Sequence, residues 1–443
     1  MSSINVGFSR HVVNPPVGIP VLGLYRKRFA KEILDDITVS TVAFDDGVEK
    51  ALIISVDHLF IDTSLADSFR NAISQRFDLP LEAIFLAATH THGGPELNPN
   101  SEIEIVREYT KEYGQALIDC IADALADLQP AKLSTAIGLA NDISFVRRYF
   151  MKDGSVRTNP AIGDPDIVGM VNEPNPNVNI IKVERESADN ILMVNFGVHP
   201  CSLATESVTA DFPHFLRQTL EGALPNTKCI FLTAFEGDVG CTKRTPVLGD
   251  WDLRSGYKRT EHIGRSLAGS VLQACTLTVP VENTDISYSS STIRLESFQE
   301  NDKLEEAKRI WALHKSGRDD EIAATLGKDP GMELTNTIAE AGRRVQLEHG
   351  PEYFDFLASA VRIGDIVFAG LPGEPFTEIG LGIQEKSPYQ LTVLCCCTNG
   401  GSTYFPSSVA YEQGGYESRA STLRKGCAEK LVDGVSTLIN SLK

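Results

Sequence analysis

The sequence predicts an α/β fold: a mixed β-sheet core with flanking helices and a site at the carboxyl ends of the strands. Three observations carry that expectation. Five short apolar runs each stop at polar or turn-forming residues, the length and punctuation of buried strands. Two β-type runs, Val39 to Phe44 and Ala51 to Val56, flank Asp45-Asp46-Gly47, which is a hairpin signal. Helical stretches lie between several of the runs, and strand-helix alternation layers helices on a sheet.

Taken in order, Leu65, Phe69, Ile73 and Phe77 recur at every fourth position and predict a helix from Ser64 with one apolar face. It feeds the run Ile84 to Ala88, which stops at His90 and His92 before Gly93-Gly94-Pro95. A second helix is expected over about 102–128, ended by Gln129-Pro130. Residues 141–190 contain Arg147-Arg148 and a tract rich in Pro, Asn and Asp from Asn159 to Asn179, and read as a long loop of the kind that carries function. The run from Leu192 meets His199, and the run from Ile230 meets Glu236-Gly237-Asp238. A helix over about 260–274 precedes a β-type stretch from Ile286 to Leu295. Residues 300–350 are charged, helical and thin in apolar content, which predicts a surface insertion beside the cleft. The run from Val367 then meets Glu374, and the run from Leu391 passes Cys395-Cys396-Cys397 to reach Asn399 and Tyr404. A last helix is expected over about 419–442, with Leu423, Leu431, Val435 and Leu438 inward. The expectation is one catalytic domain spanning 1–443, with no C-terminal immunoglobulin-like domain.

Composition narrows the function. At 443 residues and 42% hydrophobic content, the chain can bury a large core. Its 41 Lys and Arg against 59 Asp and Glu give a formal charge of −18, which argues against nucleic acid as a partner and against adsorption to anionic membranes. The nine cysteines are odd in number and sit mostly in apolar runs, where a thiol behaves as a small hydrophobe, so a reducing compartment is expected. The amino-terminal residues lack the pattern of a secretory signal, and no apolar run approaches the ~20 residues of a membrane span. Those features predict a cytoplasmic protein; oligomeric state is not written in them.

Ligands of open α/β sheets bind just outside the carboxyl ends of the strands, so the run exits should converge on one cleft. Two His, one Glu and a Tyr gathered there read as a metal site. Each is weak alone. His90 and His92 point the same way if extended, yet buried structural histidines are an equally common reading. His199 by itself is more often structural. Glu374, in Pro372-Gly373-Glu374-Pro375, is stronger, because a carboxylate at a buried strand end is costly unless paired or bound to metal. The (β/α)8 amidohydrolase barrel also opens with His-x-His, but there the pair follows the first strand, and hairpin signals here break the alternation.

Ala88-Thr-His-Thr-His-Gly-Gly-Pro95, Val198-His199, Glu236-Gly-Asp-Val239, Pro372-Gly-Glu374 and Tyr404 followed by Tyr411 and Tyr416-Glu417 occur in this order over nearly the whole chain. In that set the sequence resembles the catalytic domain of the neutral/alkaline, nonlysosomal ceramidases and their bacterial relatives. The resemblance implies Zn²⁺ ligated by His90, His199, Glu374 and Tyr404, with His92, Arg147 and Tyr416 on the substrate side. Asp238 and Asp211 are then expected to fix imidazole tautomers, Asp238 counting among the catalytic groups. It further implies a zinc-dependent amidohydrolase acting on a small-molecule or lipid-like amide, ceramide among them. A zinc esterase or lactonase using the same centre, and a catalytically silent binding protein of the same fold, remain the alternatives. The sequence departs from the family at Gly240, where ceramidases carry a serine.

Overall fold

Alternate side chains of the central strands turn to different cores, and that alternation sets the architecture. The computed structural model describes residues 4–203, 205–245, 256–300, 302–327, 330–401 and 403–442. One sheet carries Ile4–Val12 (β1), Thr38–Asp45 (β2), Lys50–Val56 (β3), Ile84–Ala88 (β4), Gln129–Leu139 (β5), Asn177–Arg185 (β6), Asn190–Phe196 (β7) and Thr227–Thr233 (β8). Their spatial order is β8-β7-β6-β5-β1-β2-β3-β4, with the short strand Val279–Pro280 paired beside β5. A second sheet holds Ile286–Glu296 (β9), Tyr353–Ile363 (β10), Ile366–Gly370 (β11) and Leu391–Cys395 (β12), in that order.

The sheets pack face to face. Val42, Phe44, Ala51, Ile53, Phe85, Met193, Ile230 and Leu232 of the first share one apolar core with Ile366, Phe368, Val393 and Cys395 of the second. The Phe85 and Phe368 rings lie 6.3 Å apart across it. The intervening residues face helices. Leu52, Ile54, Ile84 and Leu86 belong to the core that takes in Thr63–Phe77 (α1) and Glu104–Ala126 (α2). Val194, Phe196 and Phe231 pack with Phe212–Ala223 (α3) and Tyr257–Ala274 (α4). Leu304–Lys315 (α5), Asp319–Leu326 (α6) and Met332–Leu347 (α7) form the expected helical segment between β9 and β10. Thr377–Lys386 (α8) covers the second sheet, followed by Ser408–Gln413 (α9), Tyr416–Ala420 (α10) and Cys427–Asn440 (α11). Among the described residues four layers result, helix, sheet, sheet and helix, with no closed barrel.

Most strand pairs are antiparallel, but β3–β4, β7–β8 and β11–β12 are parallel. A parallel pair needs a crossover, and α1, α3 and α8 supply one to each. The three units all deliver chain to the same edge of the sandwich at their carboxyl ends.

Two expectations need correction. Residues 141–190 are not one long loop: Arg148–Met151, Val156–Thr158 and Ile167–Met170 make a small sheet, and β6 is a central strand. Val178 and Ile180 face one core and Ile181 and Val183 the other, so Asn177, Asn179, Lys182 and Glu184 disguised a strand buried on both faces. The final helix is interrupted as well. Gly426, at φ 99°, separates α10 from α11, and the intervening segment pairs with the second sheet's end through Arg424 N to Glu296 O.

Candidate metal centre

β4 ends at Ala88, and the chain then turns sharply: His90 has φ 68°, a left-handed conformation rarely taken by a residue with a Cβ and often found at functional sites. Its amide donates to His58 O at 2.8 Å. Its Nδ1 lies 2.8 Å from Leu59 O, so Nδ1 serves as a donor and Nε2 is the nitrogen turned to the cleft. That Nε2 has no hydrogen-bond partner and stands 3.3 Å from Glu374 Oε2.

His199 repeats the arrangement after β7. Its Nδ1 lies 3.0 Å from Glu236 O and 2.9 Å from Val239 O, which fixes the same tautomer. Its Nε2 points 3.0 Å from Glu374 Oε2 and 3.3 Å from Arg147 Nη1. Backbone carbonyls therefore orient both imidazoles, where the carboxylates of Asp211 and Asp238 were expected to do so. Asp238 Oδ1 instead accepts from Thr377 N at 2.8 Å and Thr377 Oγ1 at 2.9 Å, capping α8. Asp211 accepts from Ser202 and from Phe212 N at the start of α3.

Glu374 lies in Gly373–Pro375, a short strand paired in parallel with Thr403–Phe405 so that Glu374 is opposite Tyr404. A Cβ at Gly237 would stand 2.4 Å from Glu374 O, so only glycine lets the Glu236 loop come this close. Glu236 was present in the sequence motif but had no role assigned to it. It is fully buried; Oε1 accepts from Cys396 Sγ at 3.3 Å and Oε2 has no partner. His90, His199, Glu236 and Glu374 each offer one ligand atom, all within 4.8 Å of one another, and His90, His92 and His199 do the same.

His92 stands beside these groups, its ring 5.2 Å from that of His90 and 5.9 Å from that of His199, and neither ring nitrogen has a partner. The Gly23 backbone covers it so closely that a Cβ there would be 2.7 Å from His92 Cγ. Arg147 follows Phe145–Val146, a strand paired with Val239–Gly240. Its guanidinium donates to Glu417 Oε1 at 2.7 Å and Gly237 O at 2.8 Å, and stands 5.4 and 5.9 Å from the rings of Tyr404 and Tyr416. Glu417, marked in the sequence only as the neighbour of Tyr416, is thus the group that pins Arg147.

Electrostatics follow from burial and neighbours. Burial would raise the Glu374 carboxyl, but His90 and then His199, whose Nε2 atoms face it, hold it well below the usual carboxylate range. Burial would lower His90, but Glu374 in turn holds it well above its ordinary value, a positive charge whose place a bound cation would take. Burial, then Arg147, brings His199 down to about 4. Burial and the two neighbouring histidines push His92 well down, so it is neutral near pH 7. Burial pushes the Glu236 carboxyl and the Tyr404 and Tyr416 phenols well up.

The residues fit a divalent cation. Two imidazole Nε2 atoms aimed at one carboxylate, with an orphaned buried carboxylate oxygen beside them, are a donor set that suits Zn²⁺. The structure brings His90, His92, His199 and Glu374 together and sets Arg147, Tyr404 and Tyr416 around them, while Asp238 serves a helix end.

No family model and no curated protein matches the sequence. Solved structures match in fold. The crystal structure of neutral ceramidase from Pseudomonas aeruginosa superposes with a TM-score of 0.72 at 15% identity, covering 100% of this chain and 75% of that one. A ceramidase complexed with C2 gives a TM-score of 0.71 at 15% identity, covering 100% and 76%. The chain is similar in fold to these ceramidases from end to end, as the resemblance in sequence motifs implied.

Proposed function

We propose that the protein is a Zn²⁺-dependent hydrolase that cleaves a carboxamide bond by direct attack of water. The observation that carries this reading is the convergence of His90 Nε2 and His199 Nε2, each ring oriented by backbone acceptors on Nδ1, onto Glu374 Oε2. The fold shared with the two ceramidases supports an amide as substrate.

His90, His199 and Glu374, with Tyr404 opposite Glu374, would hold the ion. Zn²⁺ in such a site polarises a carbonyl and lowers the pKa of a nearby water to about 7. The remaining residues bind and move protons. Arg147 brings a fixed positive charge to the cleft, pinned by Glu417 so that it need not reorganise as an oxyanion develops. Tyr404 and Tyr416 keep their phenolic protons, so Tyr404 would meet the ion as a neutral phenol and Tyr416 can donate to a substrate oxygen. His92, held neutral by burial and by its two neighbouring histidines, can donate a ring N–H to the oxyanion that develops on the substrate. Position 240 has no side chain, so a nucleophile at the ceramidase serine position is lacking and no acyl-enzyme forms there.

The test is metal analysis of the purified protein with a panel of N-acyl amides and matched esters. Glu374→Ala should lose zinc and amidase activity together. His92→Ala should keep zinc and lose turnover by roughly 10²–10³, the effect of removing one group that meets the transition state. Full zinc content in Glu374→Ala rejects the ligand assignment, and turnover of esters alone would favour the esterase reading.

A further inference from the structure

We propose that Glu236 is a further ligand of the same metal ion, so that two histidines and two glutamates surround it beside Tyr404. The inference rests on the metal-dependent reading above and extends it to a residue that resembles no ligand position of the family.

Buried carboxylates elsewhere in the chain have ample donors. Asp57 takes both terminal nitrogens of Arg217 at 3.0 and 2.7 Å and the amide of Thr38. Glu417 takes Arg147 and Thr158. Glu236 has one thiol on Oε1, and its Oε2 is the one buried carboxylate oxygen without a partner among the described residues. Leaving such an oxygen dry and unpaired is unfavourable in any site that supplies it neither a cation nor a proton. The cation position is at hand, since Glu236 offers an oxygen within 4.8 Å of ligand atoms of His90, His199 and Glu374.

The rival role, orienting His199, is already filled. His199 Nδ1 has acceptors at 3.0 and 2.9 Å, whereas Glu236 Oε1 is 4.0 Å away. Charge balance favours the ligand role as well. Two carboxylates and two neutral imidazoles around a divalent ion sum to zero, and Arg147 has its own partner in Glu417. The position of Glu236 obeys the rule that placed the others, at the carboxyl end of a parallel strand, here β8.

Glu236→Gln preserves shape and removes charge. Chelator-stripped wild-type and variant protein are titrated with Zn²⁺, and the Co²⁺-loaded forms are compared by visible absorption. The dissociation constant for Zn²⁺ should rise at least about 10²-fold in the variant, with a changed Co²⁺ ligand-field spectrum. The stripped variant should melt no lower than stripped wild type, which shows that the loss is not misfolding. Unchanged Zn²⁺ affinity, or weaker binding with an unchanged Co²⁺ spectrum, overturns the assignment. Wild-type protein that binds neither ion would instead bring down the metal-dependent reading itself, and this assignment with it.

Discussion

The cleft at the strand ends and the insertion formed by α5–α7 both depend on paired charges, but only the cleft has taken its pairs out of water. Arg147 and Glu417 meet at 2.7 Å with side chains 8% and 1% exposed. In the insertion Arg344 meets Glu300 and Asp302 at 2.9 and 2.8 Å, where those acids are 40% and 68% exposed. Bond lengths are alike and environments are not. A buried pair is hard to break because the survivor is left as a bare charge, while an exposed pair is screened and replaced by water. The cleft thus holds Arg147 rigid, as the proposed chemistry requires, and the insertion has only a loose, water-exposed hold on its neighbours.

Glu417→Ala should therefore have the largest effect. It strips Arg147 and Arg148 of their shared carboxylate and Thr158 Oγ1 of its acceptor. The expected loss is about 3–5 kcal/mol in urea unfolding, the usual consequence of leaving a buried charge unpaired, with turnover falling as Arg147 is released. A loss under about 1 kcal/mol would erase the contrast between the two regions.

The ease of reading these two regions in the sequence also differed. His90, His199 and Glu374 were visible because each stands where an apolar run ends, a local pattern. Glu236 stood at the same kind of place, yet the role proposed for it depends on which donors reach Oε2, which is a tertiary fact. Glu417 lies in a five-residue helix, 270 residues from Arg147, so no local spacing announces the pair. The mixed sheet was legible from the alternation of runs and helices. Its division into two sheets was not, because β-pairing is long-range and each buried strand reads as plain apolar sequence. Asn and Lys within β6 broke the apolar signal and made a central strand look like loop.

An intermediate effect is expected at Glu340, where the two regions touch. Arg419 of α10, two residues from Glu417, donates to Glu340 Oε2 at 2.7 Å and to Glu333 Oε1 at 2.6 Å, while Arg344 holds Glu340 Oε1. Burial would raise the Glu340 carboxyl, but Arg419 and then Arg344 outweigh it and hold it below its ordinary value. A carboxyl depressed in the folded state contributes stability above its unfolded value, near 4.3, and loses it as pH falls through the folded one. Amide hydrogen exchange in α7 and α10 should accordingly quicken as pH is lowered from about 5 to about 3, after correction for intrinsic rates, and at fixed pH as salt is added. Glu340→Gln should exchange fast throughout and show little of that acid dependence. An acid response of equal size in the variant would move its origin to another group.

The smallest effect is expected at the outer end of the insertion. Arg318 and Glu321 make two contacts, Nε to Oε1 at 2.6 Å and Nη2 to Oε2 at 2.7 Å, a geometry as good as that of Arg147 with Glu417. Both side chains are more than half exposed, at 57% and 52%. If contact geometry governed stability, Arg318→Ala would rival Glu417→Ala. If desolvation governs it, water and salt replace the lost partner, and Glu321 is left solvated rather than stranded. The expected outcome is no resolvable change in melting temperature at physiological ionic strength, and no change in metal content or turnover. A melting shift comparable to that of Glu417→Ala would show that the two regions use charge in the same way after all.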